Sequence, residues 1–500
     1  MRVATILVSL VLVLPFGLRA QPISEADLFG HIEILASDAF EGRKPGTTGE
    51  NKTVNYIATQ WAMAGLQPAA AKASWYAPVA LVERIPRASH ISFSADNRGR
   101  GVTLHQEEII LRSMDRSFQQ SNIPVVFAGY GDSEQGRDTA SVSGKLVLLP
   151  SHPPEGGDDE PSFQILKRAF ARDGAIGVIA IAEDPERWSR LQRSYQRGST
   201  ALAGPENHAA MEGLISFDQF NRLAKQAGLD PDSLLDGSDA VSIVDLGLRA
   251  DATVETQIMP YTSHNVIGKI PGNNPESGAL LFMGHWDHFG ECRTEDPLEP
   301  DRDRICNGAV DNASGISLLI ETAKRLSGED QDRDIYFLAT TAEEKGLLGA
   351  RAFVEHPVLA LDNLVAVFNA DTVALSDDGK NIAVIGLGQS PLDPAIENVA
   401  EQEGRVIDRS GKPDAFLRRQ DGYVFLERGV PAYMITSAFA DEDRLQAYLN
   451  GSYHDVSDEV NDSLTLTGAA SDANFHVALG RYFSSTETYP GIATSGETDK

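Results

Sequence analysis

The chain has 500 residues, 42% hydrophobic and 23% charged, with a formal net charge of −29. That length exceeds what one hydrophobic core organises, so two or three domains are expected, and the composition is that of a globular protein. The acidic balance excludes binding to nucleic-acid phosphates or to anionic lipid; it fits a solvated acidic surface or the attraction of cationic peptides.

Residues 1–20 read as a secretory leader. Arg2 gives a positive start, "VATILVSLVLVLPFG" is too short for a membrane span, and cleavage is expected after the small residue Ala20. Loss of Arg2 and Arg19 takes the net charge to about −31. A periplasmic or secreted location follows. No membrane attachment is expected after cleavage, because no later stretch approaches ~20 apolar residues. Cys292 and Cys306 are the two cysteines. In an oxidising compartment they read as one disulfide closing a ~15-residue loop, worth roughly 3 kcal/mol. Two free thiols are the alternative.

In chain order, residues 22–68 read as helix, loop, helix. Ser24 and Asp27 mark the first start, and Gly65 ends the second helix. From about Trp75 the character changes to short β-rich runs such as "IPVVFAGYG", "GKLVLLP" and "IGVIAIA", separated by Gly, Pro and acidic turns; "EGGDDEPS" reads as an exposed loop. From about Val266, strands alternate with helices. "GALLFMGHWDH", "DIYFLATT", "LVAVFNAD" and "VPAYMITS" read as strands; "SGISLLIETAKRL", with Ser314 as N-cap, and "GLLGARAFVEH" read as helices. Such alternation predicts a mostly parallel sheet covered by helices on both faces.

On that reading the ionisable residues gather at strand ends. His285 and Asp287 end the first strand, Asp311 precedes a helix, Glu343 and Glu344 follow the second, Asp371 ends the third, and His454 follows the last. In open α/β sheets ligands bind outside the carboxyl ends of the strands. So many carboxylates repel one another unless cations lie among them. Two imidazoles with several carboxylates suit zinc, and the number of donors suits two zincs sharing a carboxylate. As i and i+2 on a strand, His285 and Asp287 share a face, so the Asp287 carboxylate is expected to orient the His285 ring. Adjacent glutamates point apart, which assigns Glu344 to metal and Glu343 to general base on a metal-bridging water, passing the proton to the departing amine.

The set resembles the secreted di-zinc aminopeptidases of the aminopeptidase Y type. The family pattern of HxDH, DNASG, EE-GLxG, NxD and YH is present as "HWDH", "DNASG", "EEKGLLG", "NAD" and "YH". "VVFAGYG…VSGKLVLL…GAIGVIAIAED" is similar to the protease-associated domain that some members carry as an insertion. The resemblance implies two Zn2+ per chain: one on His285, Asp371 and bridging Asp311, the other on Glu344, His454 and the same Asp311. It implies Glu343 as base, Asp287 behind His285, and Tyr453 either against the tetrahedral intermediate or structural. It also implies the α/β zinc-exopeptidase fold: a mixed, mostly parallel sheet flanked by helices, from residues 21–74 and 255–485. A β-rich protease-associated-like insertion spans 75–254, and 486–500 is a loose tail. The chain departs from the pattern at Gly422, where many members have histidine after Asp421, and at Thr372-Val373-Ala374; both bear on specificity. The expected activity is removal of N-terminal residues from peptides with a free N-terminus. A carboxypeptidase or dipeptidase, for which Arg418 and Arg419 could hold a substrate carboxylate, and a non-catalytic receptor-like module are the alternatives.

Overall fold

Four apolar runs, each bounded by turn residues, form the centre of the catalytic-type half of the chain. The structure is a computed structural model that describes residues 21–95, 98–129, 141–151, 163–183, 185–204, 208–235, 243–293, 297–462 and 464–491. The leader and the "EGGDDEPS" loop lie outside the described residues. Two compact units result, one from the segments up to Ala77 and from His264 onward, the other spanning Pro78–Ser263. The sequence reading ends the insertion earlier, at 254. No turn residue marks that point, because the strand β1 (Ile243–Ile270) runs through it.

In the first unit, β2 (Ala279–His285), β3 (Asp334–Thr340), β4 (Leu364–Asn369) and β6 (Ala432–Thr436) are parallel, in the order β6-β4-β2-β3. The sheet is extended antiparallel by β5 (Asn381–Ile385) on β6 and by residues 266–270 of β1 on β3. Every residue of β2 and β3 is buried, as expected for strands covered on both faces. Successive side chains alternate between two cores. Leu280 and Phe282 pack with α1 (Glu25–Leu35), α2 (Thr48–Met63), α3 (Ser314–Leu326) and α6 (Thr467–Ser484). Leu281 and Met283 pack with Phe353 of α4 (Leu348–Glu355) and with Phe425. Helix α5 (Asp393–Gln402) joins the first layer through Ile396. The expected mixed, mostly parallel sheet flanked by helices is thus the observed one.

Ser24 caps α1 in a reciprocal capping box with Asp27. Ser314 does not cap α3: it is the helix's first residue, its hydroxyl donates to Val310 O at 2.6 Å, and Asn312 Oδ1 accepts Gly315 N instead. Residues 486–491 are not loose. Thr486 N and Oγ1 both donate to Asp332 Oδ2 at 2.6 Å, and Arg333 Nη1 donates to Tyr489 O.

The second unit is not simply β-rich. Strands at 125–127, Leu146–Pro150, Gly177–Ala182 and Met211–Ser216 are parallel; helix Phe163–Arg172 lies between the second and third, Pro185–Arg197 between the third and fourth, and Phe217–Ala227 follows the last. The helix "PERWSRLQRSYQR" is so polar that its sequence reads as loop; a narrow apolar stripe including Trp188 and Leu191 packs on the sheet. No helix among the described residues is long and apolar enough to cross a membrane.

Candidate metal centre

The carboxyl edge of the parallel strands collects the expected residues. His285 is the last residue of β2. Thr340 ends β3, and the turn Glu343–Lys345 follows between Ala342 and Leu347, both in left-handed backbone at φ 53° and 60°. Asp371 lies two residues past β4. Asp311 sits in the irregular segment Ala309–Ala313 ahead of α3, and His454 has a left-handed φ of 58°. Gly308, at φ +58°, is required where it stands: a Cβ would lie 2.1 Å from Asp311 O and 2.7 Å from the His288 ring.

Two donor groups form around one shared carboxylate. His285, Asp311 and Asp371 present atoms within 4.8 Å of one another, and so do His288, Asp311 and Glu344. His285 Nε2 lies 3.2 Å from Asp311 Oδ1 and 3.5 Å from Asp371 Oδ1. His454 Nε2 lies 3.3 Å from Asp311 Oδ2 and 3.1 Å from Glu344 Oε2. Glu343 stands apart, its Oε2 4.0 Å from His285 Nε2. The two glutamates therefore diverge, Glu343 toward His285 and Glu344 toward His288 and His454.

Asp287 differs from expectation. The strand ends at His285, so the i, i+2 relation fails, and the His285 Nδ1 partner is the backbone carbonyl of Asp287 at 3.1 Å. The carboxylate lies 3.9 Å from that nitrogen and instead accepts Glu343 N at 3.0 Å. Asp287 thus fixes the turn that carries Glu343.

The sequence reading missed three contributors. His288 is fully buried, with Nδ1 2.8 Å from Glu344 Oε1; its only signal was its place in "HWDH". Asp458 is buried and accepts from Val310 N, Asp311 N and Tyr448 OH at 2.9, 3.1 and 2.9 Å, fixing the Asp311 backbone. Arg43, 1% exposed, donates to the carbonyls of Leu35, Trp286, Asn307 and Gly308, tying together the segments that carry His285 and Asp311. No pattern in "FEGRKPG" points to that role.

Electrostatics follow from burial. Burial pushes Asp287 up to about 7 and Asp421 up to about 6. It also drives Glu343 well above the usual carboxylate range, helped by Glu344 and opposed by His285. Burial opposes charge on His454, yet contacts with Asp311 and Glu344 raise it to about 9. Burial likewise opposes charge on His285, but Glu343 and Asp371 raise it well above its ordinary value. Arg43 is lowered by burial to about 10, with Asp458 and Asp311 opposing.

The residues fit divalent cations. His454 Nε2, Glu344 Oε1 and both ring nitrogens of His288 are buried without a hydrogen-bond partner. His288 Nδ1 and His454 Nε2 nonetheless lie 2.8 and 3.1 Å from the Glu344 oxygens. Imidazole nitrogens mixed with carboxylate oxygens are the donor chemistry zinc prefers. Cys292 and Cys306 form a disulfide. Beside it, Arg293 pairs with both oxygens of Asp455 at 2.9 and 2.7 Å, next to His454.

Fold and site together define a class: α/β proteins with a buried imidazole–carboxylate centre at the carboxyl edge of a mostly parallel sheet. Residues 265–478 match the model of Peptidase family M28. Aminopeptidases are among its relatives. The chain is 27% identical over 316 residues to a probable leucine aminopeptidase 2 of Aspergillus fumigatus, covering 61% of this chain and 56% of that protein. It is 35% identical over 117 residues to aminopeptidase YwaD of Bacillus subtilis, covering 23% of each. The chain thus spans little more than half the length of the first of these relatives, and far less of the second. Its fold is similar to that of an aminopeptidase from Aneurinibacillus sp. strain AM-1, with a TM-score of 0.53 at 16% identity, over 96% of this chain and 97% of that one.

Proposed function

We propose that the protein is an exported zinc exopeptidase that removes N-terminal residues from peptides, using two zinc ions. The observation that carries this reading is the pair of donor groups sharing Asp311, with Glu343 beside them and outside both. When bound, the cations would polarise the scissile carbonyl and make an attacking water more acidic. His285, Asp371 and Asp311 would hold one; Asp311 and Glu344 would hold the other with His454, whose Nε2 lies 3.3 Å from Asp311 Oδ2 and 3.1 Å from Glu344 Oε2, while His288, the third member of the second donor group, lies against Glu344 Oε1.

Glu343 takes the proton from the water and delivers it to the leaving amine. Asp287 holds the Glu343 backbone, and its carbonyl sets the ring of His285. Likeness to a probable leucine aminopeptidase 2 and to aminopeptidase YwaD supports cleavage at the N-terminus. The apolar leader, the disulfide and the acidic surface support a periplasmic or extracellular setting. Residues 78–263 are read as a protease-associated-like insertion.

The test uses leucine anilide and its N-blocked analogue. Cleavage of the free-amine substrate alone, abolished by chelator and restored by zinc, supports the reading; chelator-resistant cleavage contradicts it. Glu343→Gln should abolish turnover while keeping metal content at the wild-type level.

A further inference from the structure

The acidic centre opens into a pocket whose lining combines His285, Asp311, Glu343 and Asp371 with apolar side chains and a single arginine, Arg419. Its apolar wall includes Met434, Phe439 and Leu449. Arg419 lies at the C-terminal end of the short helix Lys412–Arg419, exposed, with its guanidinium 5.1 Å over the Phe416 ring and Nη2 3.4 Å from the Tyr453 hydroxyl. Among the described residues no carboxylate lies within ion-pair distance of it. The acids of the cavity converge on His285 instead. Arg418, one residue earlier, is turned away: it lies 5.9 Å over the Tyr423 ring and does not line the cavity.

We infer that Arg419 forms a subsite for a carboxylate on the residue leaving the scissile bond, so that the enzyme favours very short peptides or those with an acidic second residue. The inference rests on the exopeptidase reading and deepens it. A guanidinium repels the substrate's free ammonium and attracts a carboxylate, so Arg419 suits the end of the bound substrate away from its N-terminus. Stacking on Phe416 holds its planar fork in place, and a fork of parallel N–H groups matches a carboxylate. The apolar wall takes a side chain, leaving the arginine to read charge.

The experiment measures steady-state cleavage by the zinc-loaded full chain of Leu-Gly, Leu-Gly amide and Leu-Asp amide. Wild type, Arg419→Gln, Arg419→Lys and Arg418→Gln are compared. Wild type should favour Leu-Gly over its amide. Arg419→Gln should raise KM for the carboxylate-bearing substrate at least tenfold with kcat held, and leave Leu-Gly amide unchanged. Arg419→Lys should recover part of the loss, and Arg418→Gln should behave as wild type. Sensitivity of Leu-Gly assigns the subsite to the chain terminus, and sensitivity of Leu-Asp amide to an acidic side chain; either supports the inference. An equal effect of Arg419→Gln on all three substrates overturns it. Failure of wild type to cleave any of them would sink the exopeptidase reading, and this inference with it.

Discussion

Replacing Arg43 by alanine should loosen the two segments that present His285 and Asp311. Four carbonyls accept from this guanidinium, those of Leu35, Trp286, Asn307 and Gly308. Each buried acceptor left without a partner costs about 1 kcal/mol at the low end. The sum, about 4 kcal/mol, is a large fraction of the ~5–15 kcal/mol that holds a domain together. Arg43→Lys keeps the charge, but one ammonium cannot reach carbonyls on three segments; about half the loss, ~2 kcal/mol, is expected. Because the chain has two units, a single unfolding midpoint is a poor readout. Amide hydrogen exchange by segment is better suited, since local opening reports local stability. Peptides covering 286–289 and 305–311 should lose about 10³-fold protection in Arg43→Ala and about 30-fold in Arg43→Lys, while those from 78–263 stay unchanged. Protection within a few-fold of wild type in the alanine variant would refute the reasoning.

The metal-free protein should become less stable as pH rises. Asp287, Asp421 and His454 have folded values of about 7, 6 and 9, all above their unfolded values. Their contributions are therefore complete below the unfolded values and are lost as pH passes the folded ones. Hydrogen-exchange protection of first-unit peptides in chelated protein, corrected for intrinsic exchange, should fall between pH 5 and 9, and saturating zinc should remove most of that slope; protection rising over that range contradicts the assignment. Zinc binding should also release protons, since His285 and His454 must be neutral to ligate. Calorimetry in buffers of different ionisation heat reads that release, and none at pH 7 would count against both histidines. His288→Ala should weaken zinc on the Glu344 side about 10–100-fold, the usual cost of losing a group that orients a ligand. A two-phase zinc titration in which only one phase shifts checks this; unchanged affinity in both phases removes His288 from the site.

The strands that lead to the site residues were legible because they are short apolar runs bounded by turns, and in a parallel sheet their ends gather along one edge. Asp311, Glu343, Glu344, Asp371 and His454 could be named from that rule. Asp287 meets His285 as expected, but through its backbone carbonyl rather than its carboxylate, since the two-residue period of a strand says nothing past its last residue. His288, Asp458 and Arg43 act through backbone amides, carbonyls and buried contacts between segments far apart in the chain. A one-dimensional pattern does not encode such contacts. Among the helices of residues 78–263, Pro185–Arg197 was hidden by its polar composition, which outweighs a narrow apolar stripe.

The most direct measurement is the zinc content of the purified, dialysed protein by elemental analysis, beside Asp311→Asn and Asp371→Asn. Two zincs per wild-type chain are predicted, with the first variant losing both and the second keeping one. Less than one zinc in wild type that still trims peptides, or no loss in Asp311→Asn, would contradict a centre organised around a shared carboxylate.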